Sequence, residues 1–378
     1  MKLSKLYAEF TTSEKTASVV LLVCTAFSLI LSNSIGNEYL HLFHYDIGNK
    51  SLEFWINDGL MTIFFLLVGL EIKRELFIGE LSTFQKSLLP VIAAIGGMLV
   101  PALIHFSLNR GTDSQSGFGI PMATDIAFSL AILSLLGKRV PLSLKIVLTA
   151  LAIIDDLGAI VIIALFYSKD FSTFYFGLGL GIFGFMLVLN RLRVNRIWVY
   201  LLIGMLIWLC IYKSGIHATI SGVLLAFAIP FGKGEETTLS YKLQHQLHLP
   251  VSFIILPLFA LANTAIPISS ETIHQLSTFN SYGIILGLLI GKPLGIYLFS
   301  IIGISAGWCV IPKDIKRIHL LLIGLIAGIG FTMSIFITLL AFTDPELVQV
   351  SKLAVIIGSV LAGVLGYVGL RVVLKPSL

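Results

Sequence analysis

The chain has 378 residues, 57% of them hydrophobic and only 12% charged, with a mean hydropathy of +0.98 and a formal net charge of +5. A soluble globular protein is about 25% charged, so this composition excludes one. The basic residues are scattered among short connections, which excludes a nucleic-acid-binding face, and Cys24, Cys210 and Cys309 lie at unrelated spacings that fit neither a disulfide framework nor a metal site.

Residues 1–15 are polar and mildly basic, and the first apolar run lacks a small-residue cleavage site, so no cleavable leader is expected. Apolar runs long enough to cross roughly 30 Å of hydrocarbon then predict helices at 16–34, 58–76, 88–108, 119–136, 142–167, 173–190, 195–213, 216–232, 249–268, 281–305, 318–342 and 352–374. Nothing alternates as the strands of a membrane barrel do. The expectation is therefore an all-α polytopic membrane protein of twelve spans in a single transmembrane domain over 1–378. The longest connections are an outward loop at 35–57, where Gly48-Asn49 is a plausible hairpin turn, and a cytoplasmic loop at 233–248. Asp58 reads as an N-cap or first-turn charge of the second span.

The lysines and arginines check that count. With both termini cytoplasmic, 19 of the 25 fall inside, among them Lys73, Arg74, Lys233 and Lys375; five fall outside, among them Lys50, Lys169 and Lys352. Lys292 alone is left within a span. A miscounted helix scrambles such a positive-inside bias.

Two spans break their own rules. The fourth opens Gly117-Phe-Gly-Ile-Pro-Met-Ala-Thr124-Asp125, where a proline without a donor is flanked by glycines. The eleventh reads Gly324-Leu-Ile-Ala-Gly328-Ile-Gly330-Phe-Thr-Met-Ser334. Irregular backbone at membrane depth is tolerated only inside protein or facing water, and one such segment in each half of the chain points to a transporter with internal repeats. Opposed half-helices leave partial positive charge at their N-termini and negative charge at their C-termini. Asp125 can offset the first, and Lys292, in Gly291-Lys292-Pro293, can offset the second or pair with an aspartate.

The fifth span carries Asp155-Asp156 in an otherwise apolar run. A carboxylate at the bilayer centre costs several kcal/mol, so two in a row demand a buried, watered cavity. Neighbours on a helix diverge by about 100°, so the two cannot chelate as a parallel pair. Carboxylates, the Thr124 hydroxyl, freed carbonyls and water are the oxygen ligands that a hard cation such as Na+ wants. Groups so close take up protons as a coupled set, in competition with the cation.

At this point the sequence resembles the NhaA-type Na+/H+ antiporters of bacterial inner membranes. The resemblance is carried, in order along the chain, by Phe-Phe-Leu-Leu-Val-Gly-Leu-Glu-Ile-Lys-Arg-Glu (64–75), Pro-Met-Ala-Thr-Asp-Ile-Ala-Phe (121–128), Ala-Leu-Ala-Ile-Ile-Asp-Asp-Leu-Gly-Ala-Ile (150–160), Ser-Gly-Ile-His-Ala-Thr (214–219), Gly-Lys-Pro-Leu-Gly (291–295) and Gly-Ile-Gly-Phe-Thr-Met-Ser-Ile-Phe (328–336). It implies twelve helices in inverted repeats with two interrupted, crossing helices, spans four and eleven, an architecture that the general account of such transporters gives for this family by name. It also implies electrogenic exchange of one cytoplasmic Na+ or Li+ for more than one external H+, serving pH and sodium homeostasis. No cofactor and no enzymatic reaction are implied; a homodimer is, through the outward hairpin. By position, Asp156 matches the principal cation carboxylate and Asp155 its partner, with Thr124, Asp125 and Lys292 beside them. His217 matches a histidine tied to the pH profile. Glu71, Arg74 and Glu75 match a cytoplasmic funnel mouth, and His245 and His248 lie in the sensor segment 241–248. That segment departs from the family pattern at Tyr241 and Gln244. The competing readings are a cation channel, for which no repeated filter loop is present, and an intramembrane aspartyl hydrolase with Asp125 and Asp156 as its dyad.

Overall fold

A computed structural model describes residues 2–168, 170–232 and 234–374, so Lys169, Lys233 and Lys375 of the charge count lie outside the described residues. In chain order the principal helices are α1 (Lys2–Ser34), α2 (Asn37–His44), α3 (Leu52–Phe77), α4 (Phe84–Leu108), α5 (Asp113–Met122, a 3-10 helix), α6 (Ile126–Leu135), α7 (Leu142–Phe166), α8 (Thr173–Arg191), α9 (Ile197–Lys213), α10 (Ile220–Ala228), α11 (Leu239–Asn263), α12 (Phe279–Ser305), α13 (Arg317–Ala327), α14 (Phe331–Ala341) and α15 (Pro345–Val373). Among the described residues eight helices are long and apolar enough to cross a membrane. Two bent pairs, α5 with α6 at 44° and α13 with α14 at 54°, bring the number to as many as ten. This is an all-α polytopic membrane protein, and its outward apolar side chains, such as Phe174, Trp198 and Leu165, are those of a chain solvated by lipid.

Local chemistry sets the boundaries. Ser51 caps α3 by accepting from Phe54 N at 3.2 Å, so the helix starts six residues before the sequence-based start, and Asp58 sits within it rather than at its N-cap. The π-helical turn at Trp55–Leu60 encloses Asp58. The segment 35–57 is largely structured: it holds α2 and two short antiparallel strands, β1 (Asp46–Ile47) and β2 (Lys50–Ser51), paired Asp46 to Ser51 and Ile47 to Lys50. Gly48 turns between them at φ +71°, which a side chain resists.

The 233–248 loop expected from polar composition is corrected: from Leu239 the chain is helical and runs on to Asn263. Thr238 accepts from Tyr241 N at 3.4 Å, and Pro250 is followed by a π-helical turn at Val251–Ile255 that widens the ladder where the proline lacks a donor. The apolar run 216–232 is the opposite case, since only Ile220–Ala228 forms a helix there.

The chain forms two compact units. One comprises Met1–Gly36, Thr83–Ala159 and Asn263–Leu378. In it α12 packs on α4 and α13, α13 packs on α15, and α5 packs on α4 and α14. The other comprises Asn37–Ser82 and Ile160–Ala262. Its core gathers Leu66, Leu70, Met186, Tyr200, Ile207 and Ala226 from α3, α8, α9 and α10. Here α10 lies so close to α3 that a Cβ on Gly222 would fall on the Thr62 carbonyl and 2.9 Å from Leu66 N.

Gly222→Ala is therefore expected to lower the thermal midpoint of the detergent-solubilised protein, at a cost of about 1–3 kcal/mol. Gly177→Ala on the exposed side of α8, where a Cβ meets nothing within 4 Å, leaves the midpoint unchanged or raises it through about 0.5–1 kcal/mol of helix propensity.

Candidate functional site

In the first unit both helix breaks are tied to one another by side chains. Between Met122 and Ile126 the chain leaves helical geometry, with Ala123 and Asp125 extended at ψ 151° and 103°. Between Ala327 and Phe331 it passes through Gly328, Ile329 and Gly330. The Asp125 backbone N–H donates to Ile329 O at 2.7 Å, which joins the two breaks directly.

Asp125 serves two helix N-termini at once. Its Oδ1 accepts from Phe128 N at 3.1 Å and so caps α6. Its Oδ2 accepts from Thr332 N at 3.1 Å and from the Thr332 hydroxyl, which places negative charge at the start of α14. Both carboxylate oxygens are thereby engaged. Three other hydroxyls hold the breaks in register: Ser129 Oγ donates to Ile326 O at 3.0 Å, Ser334 Oγ to Ile120 O at 2.6 Å, and Thr124 Oγ1 lies 3.0 Å from Ala327 O.

Against this crossing lies the carboxylate of Asp155, on the part of α7 that belongs to the same unit. Thr124 Oγ1 is 2.7 Å from Asp155 Oδ2, and Lys292 Nζ is 2.9 Å from the same oxygen. The Lys292 ammonium also donates to Met122 O at the C-terminal end of α5, where a cation is favoured. Lys292 follows a π-helical turn at Gly287–Gly291 and precedes Pro293, and its own N–H reaches Gly287 O five residues back. Asp155, Asp156 and Lys292 are each no more than 1% exposed. The charge of Asp156 also acts on the Lys292 ammonium. Asp155 Oδ1 is buried and has no hydrogen-bond partner among the described residues. The arrangement can exchange an internal cation, the ammonium, for another cation at a shared carboxylate oxygen.

Thr124, Asp125, Asp155 and Lys292 are thus brought together, and Asp156 lies within reach of the same ammonium. The residues assigned to pH response divide. Arg74 Nη2 is 3.4 Å from Glu75 Oε1, Glu71 is one turn away, and α11 packs on α3 with His248 close enough to feel the Arg74 charge. His245 stacks parallel on Tyr241, with ring centroids 6.4 Å apart. His217 is elsewhere: its Nε2 meets Tyr167 O at 3.1 Å, ahead of the N-terminus of α10. Gly222 lies on Thr62 and Ala226 on Gly69, so α10 runs parallel to α3 and puts His217 toward the Asp58 end. Thr332, Ser334 and Ser129 belong to the site geometry and escaped the sequence reading, because uncharged hydroxyls in apolar helices carry little signal; for Thr332 and Ser334 the nearness of Gly328-Ile-Gly330 was the available clue, and for Ser129 that of Asp125.

The family model described as Na+/H+ antiporter 1 matches residues 8–370. The Na(+)/H(+) antiporter NhaA of Flavobacterium psychrophilum is 56% identical over 100% of this chain and 99% of its own length. The proteins of the same name from Cytophaga hutchinsonii (54% identical, 100% of this chain and 98% of the relative) and Dechloromonas aromatica (55%, 98% and 96%) are similar to the same extent.

Thr332→Val removes the hydroxyl from Asp125 Oδ2 and keeps the backbone donor. The expected loss is about 1–3 kcal/mol, read as a lower thermal midpoint, with Thr332→Ser close to wild type.

Proposed function

The chain belongs to the Na+/H+ antiporter 1 family and exchanges Na+ for H+ across a membrane as a transporter rather than an enzyme, and from that premise we propose how its residues do so. The observation that carries the proposal is the single carboxylate oxygen, Asp155 Oδ2, shared by the Lys292 ammonium and the Thr124 hydroxyl at the crossing of two broken helices. Asp156 and Asp155 bind the cation, with Thr124 as an added oxygen ligand. Asp125 and Lys292 compensate the half-helix ends. Asp125 has both oxygens committed to caps, which argues against a hydrolytic dyad with Asp156 and favours charge compensation over cation binding for that residue.

Protons and Na+ compete for the same oxygens. At low pH the carboxylates hold protons and the site does not take Na+; as pH rises Na+ displaces them. Lys292 is positioned as the resident cation, so arrival of Na+ at Asp155 releases the ammonium from its partner. Exposure of the site to one side at a time converts this competition into electrogenic exchange of Na+, or of Li+ with the same hard-ion chemistry, for more than one H+. Glu71, Arg74, Glu75 and His248, with His245, form the pH-responsive group at one end of α3, and His217 acts from the other. The reading extends to twelve crossings: the ten above plus α9 of 17 residues and the short α10. Inverted repeats, a homodimer through the β1–β2 hairpin, a surrounding bilayer in the bacterial inner membrane, and cytoplasmic termini complete it, supported by the skew of lysine and arginine.

In everted membrane vesicles from an antiporter-deleted host, Na+ or Li+ added between pH 6.5 and 8.5 is expected to collapse the proton gradient. K+ is expected to do nothing, and Asp156→Asn to abolish the response. No response at any pH, with the protein verified in the membrane, sinks the exchange mechanism. A second measurement locates the additional proton: Asp155→Asn that still moves net charge assigns it to Lys292, and loss of charge movement with exchange retained assigns it to Asp155.

A further inference from the structure

We propose that Lys73 is a positioning residue for the exchange reaction. Its buried ammonium terminates α10 and fixes that helix against the stretch of α3 that carries Glu71, Arg74 and Glu75. The inference rests on the reading of those three as part of the pH-responsive group.

By sequence Lys73 is one more basic residue in Glu71-Ile-Lys-Arg-Glu75, and the positive-inside count places it at the membrane surface. It is instead 4% exposed. No carboxylate lies within salt-bridge distance of it among the described residues. What surrounds it is backbone. Its Nζ donates to Ile229 O at 2.6 Å, Phe227 O at 2.8 Å and Ala226 O at 3.2 Å.

The reason lies in α10. A helix of nine residues rises about 14 Å, less than half the hydrocarbon thickness, and leaves its last carbonyls without partners. No water reaches such groups in lipid, and each left unmet costs several kcal/mol. Lys73 meets three of them with its three protons, which is the full donor capacity of an ammonium. Asn190 Nδ2 on α8 donates to Ala228 O at 2.9 Å, and Ser240 Oγ on α11 donates to Pro230 O at 3.0 Å. Every carbonyl from Ala226 to Pro230 therefore has a side-chain donor. The negative end of the helix also favours a fixed cation at that point.

The same lysine sets the register of two helices. Close approaches at Gly222 and Gly69 fix the line of contact, and the Lys73 bonds stop one helix from sliding past the other. α10 starts at Ile220, shortly after His217, so one short rod joins the His217 region to the Glu71 end of α3. α10 itself brings no ionisable side chain; α11, which packs on α3, carries Tyr241, Lys242, His245 and His248, and α8 ends in Arg191 beside Asn190. Arginine is a poor substitute, because a planar fork does not match three carbonyls set around a tetrahedral nitrogen.

The test compares Lys73→Met, Lys73→Arg and Asn190→Leu in vesicles and as purified protein. In Lys73→Met the KM for Na+ is expected to rise about fivefold, roughly what one net hydrogen bond is worth, with a smaller fall in kcat and a displaced pH profile. Lys73→Arg moves both in the same direction. Asn190→Leu, which removes no charge, does so to a lesser degree and so separates capping from simple electrostatics. Hydrogen exchange of the amides following Ala226 is expected to quicken in all three. Wild-type KM, pH profile and hydrogen exchange in a folded Lys73→Met overturn the proposal. Should that variant fail to fold, unchanged values in Asn190→Leu and Lys73→Arg overturn it instead. A wild type without Na+-dependent proton movement refutes the exchange mechanism and leaves hydrogen exchange to decide the role of Lys73.

Discussion

Backbone carbonyls and N–H groups at membrane depth must find partners inside the protein, and the rest of this structure depends on how that demand is met. An unbroken helix meets it internally. Here four helix ends inside the apolar layer are met by three charged side chains, which supply what the ladder cannot. Asp125 covers the N-termini of α6 and α14, Lys292 covers the end of α5, and Lys73 covers the end of α10. Two of those three charges then do chemistry or stand beside it. The cost of breaking a helix and the means of binding an ion are one expenditure of buried charge.

This overlap explains what was readable in the chain. Asp125 and Lys292 each coincide with a proline or glycine interruption, so charge and break point to the same place, and Asp155-Asp156 stands out because nothing else polar surrounds it. Lys73 was not readable. Its break lies more than 150 residues away in sequence, at Ile229 and Pro230, and a count by charge treats a capping lysine and a surface lysine alike. Thr332 and Asn190 were hidden for a simpler reason, since an uncharged donor in an apolar run resembles ordinary packing.

Helix limits divided along similar lines. Long apolar runs were placed to within a few residues, as in α7 and α8. Composition misled where polarity and helicity part company. The segment from Leu239 to His248 is rich in Gln and His but contains no breaker, so it continues the apolar helix that follows. The apolar run after Ile216 contains Gly215 at φ +81° before it and Pro230 after it, and yields only nine helical residues. Proximity in the pH-responsive set was illegible too: His217 and Glu71 share a resemblance-based role, yet parallel packing of α10 on α3 places His217, ahead of the α10 N-terminus, at the opposite end from Glu71.

The π-helical turn before Lys292 has a consequence for direction. An inserted residue advances everything after it by about 100° around the helix axis, so the part of α12 before Gly287 and the part after Gly291 present different azimuths to their neighbours. The aim of the lysine is thus set by a residue count upstream rather than by its own contacts alone. A chain that lost the insertion would be shorter by a single residue, with its apolarity and charge unchanged, and would point that ammonium at another part of its surroundings.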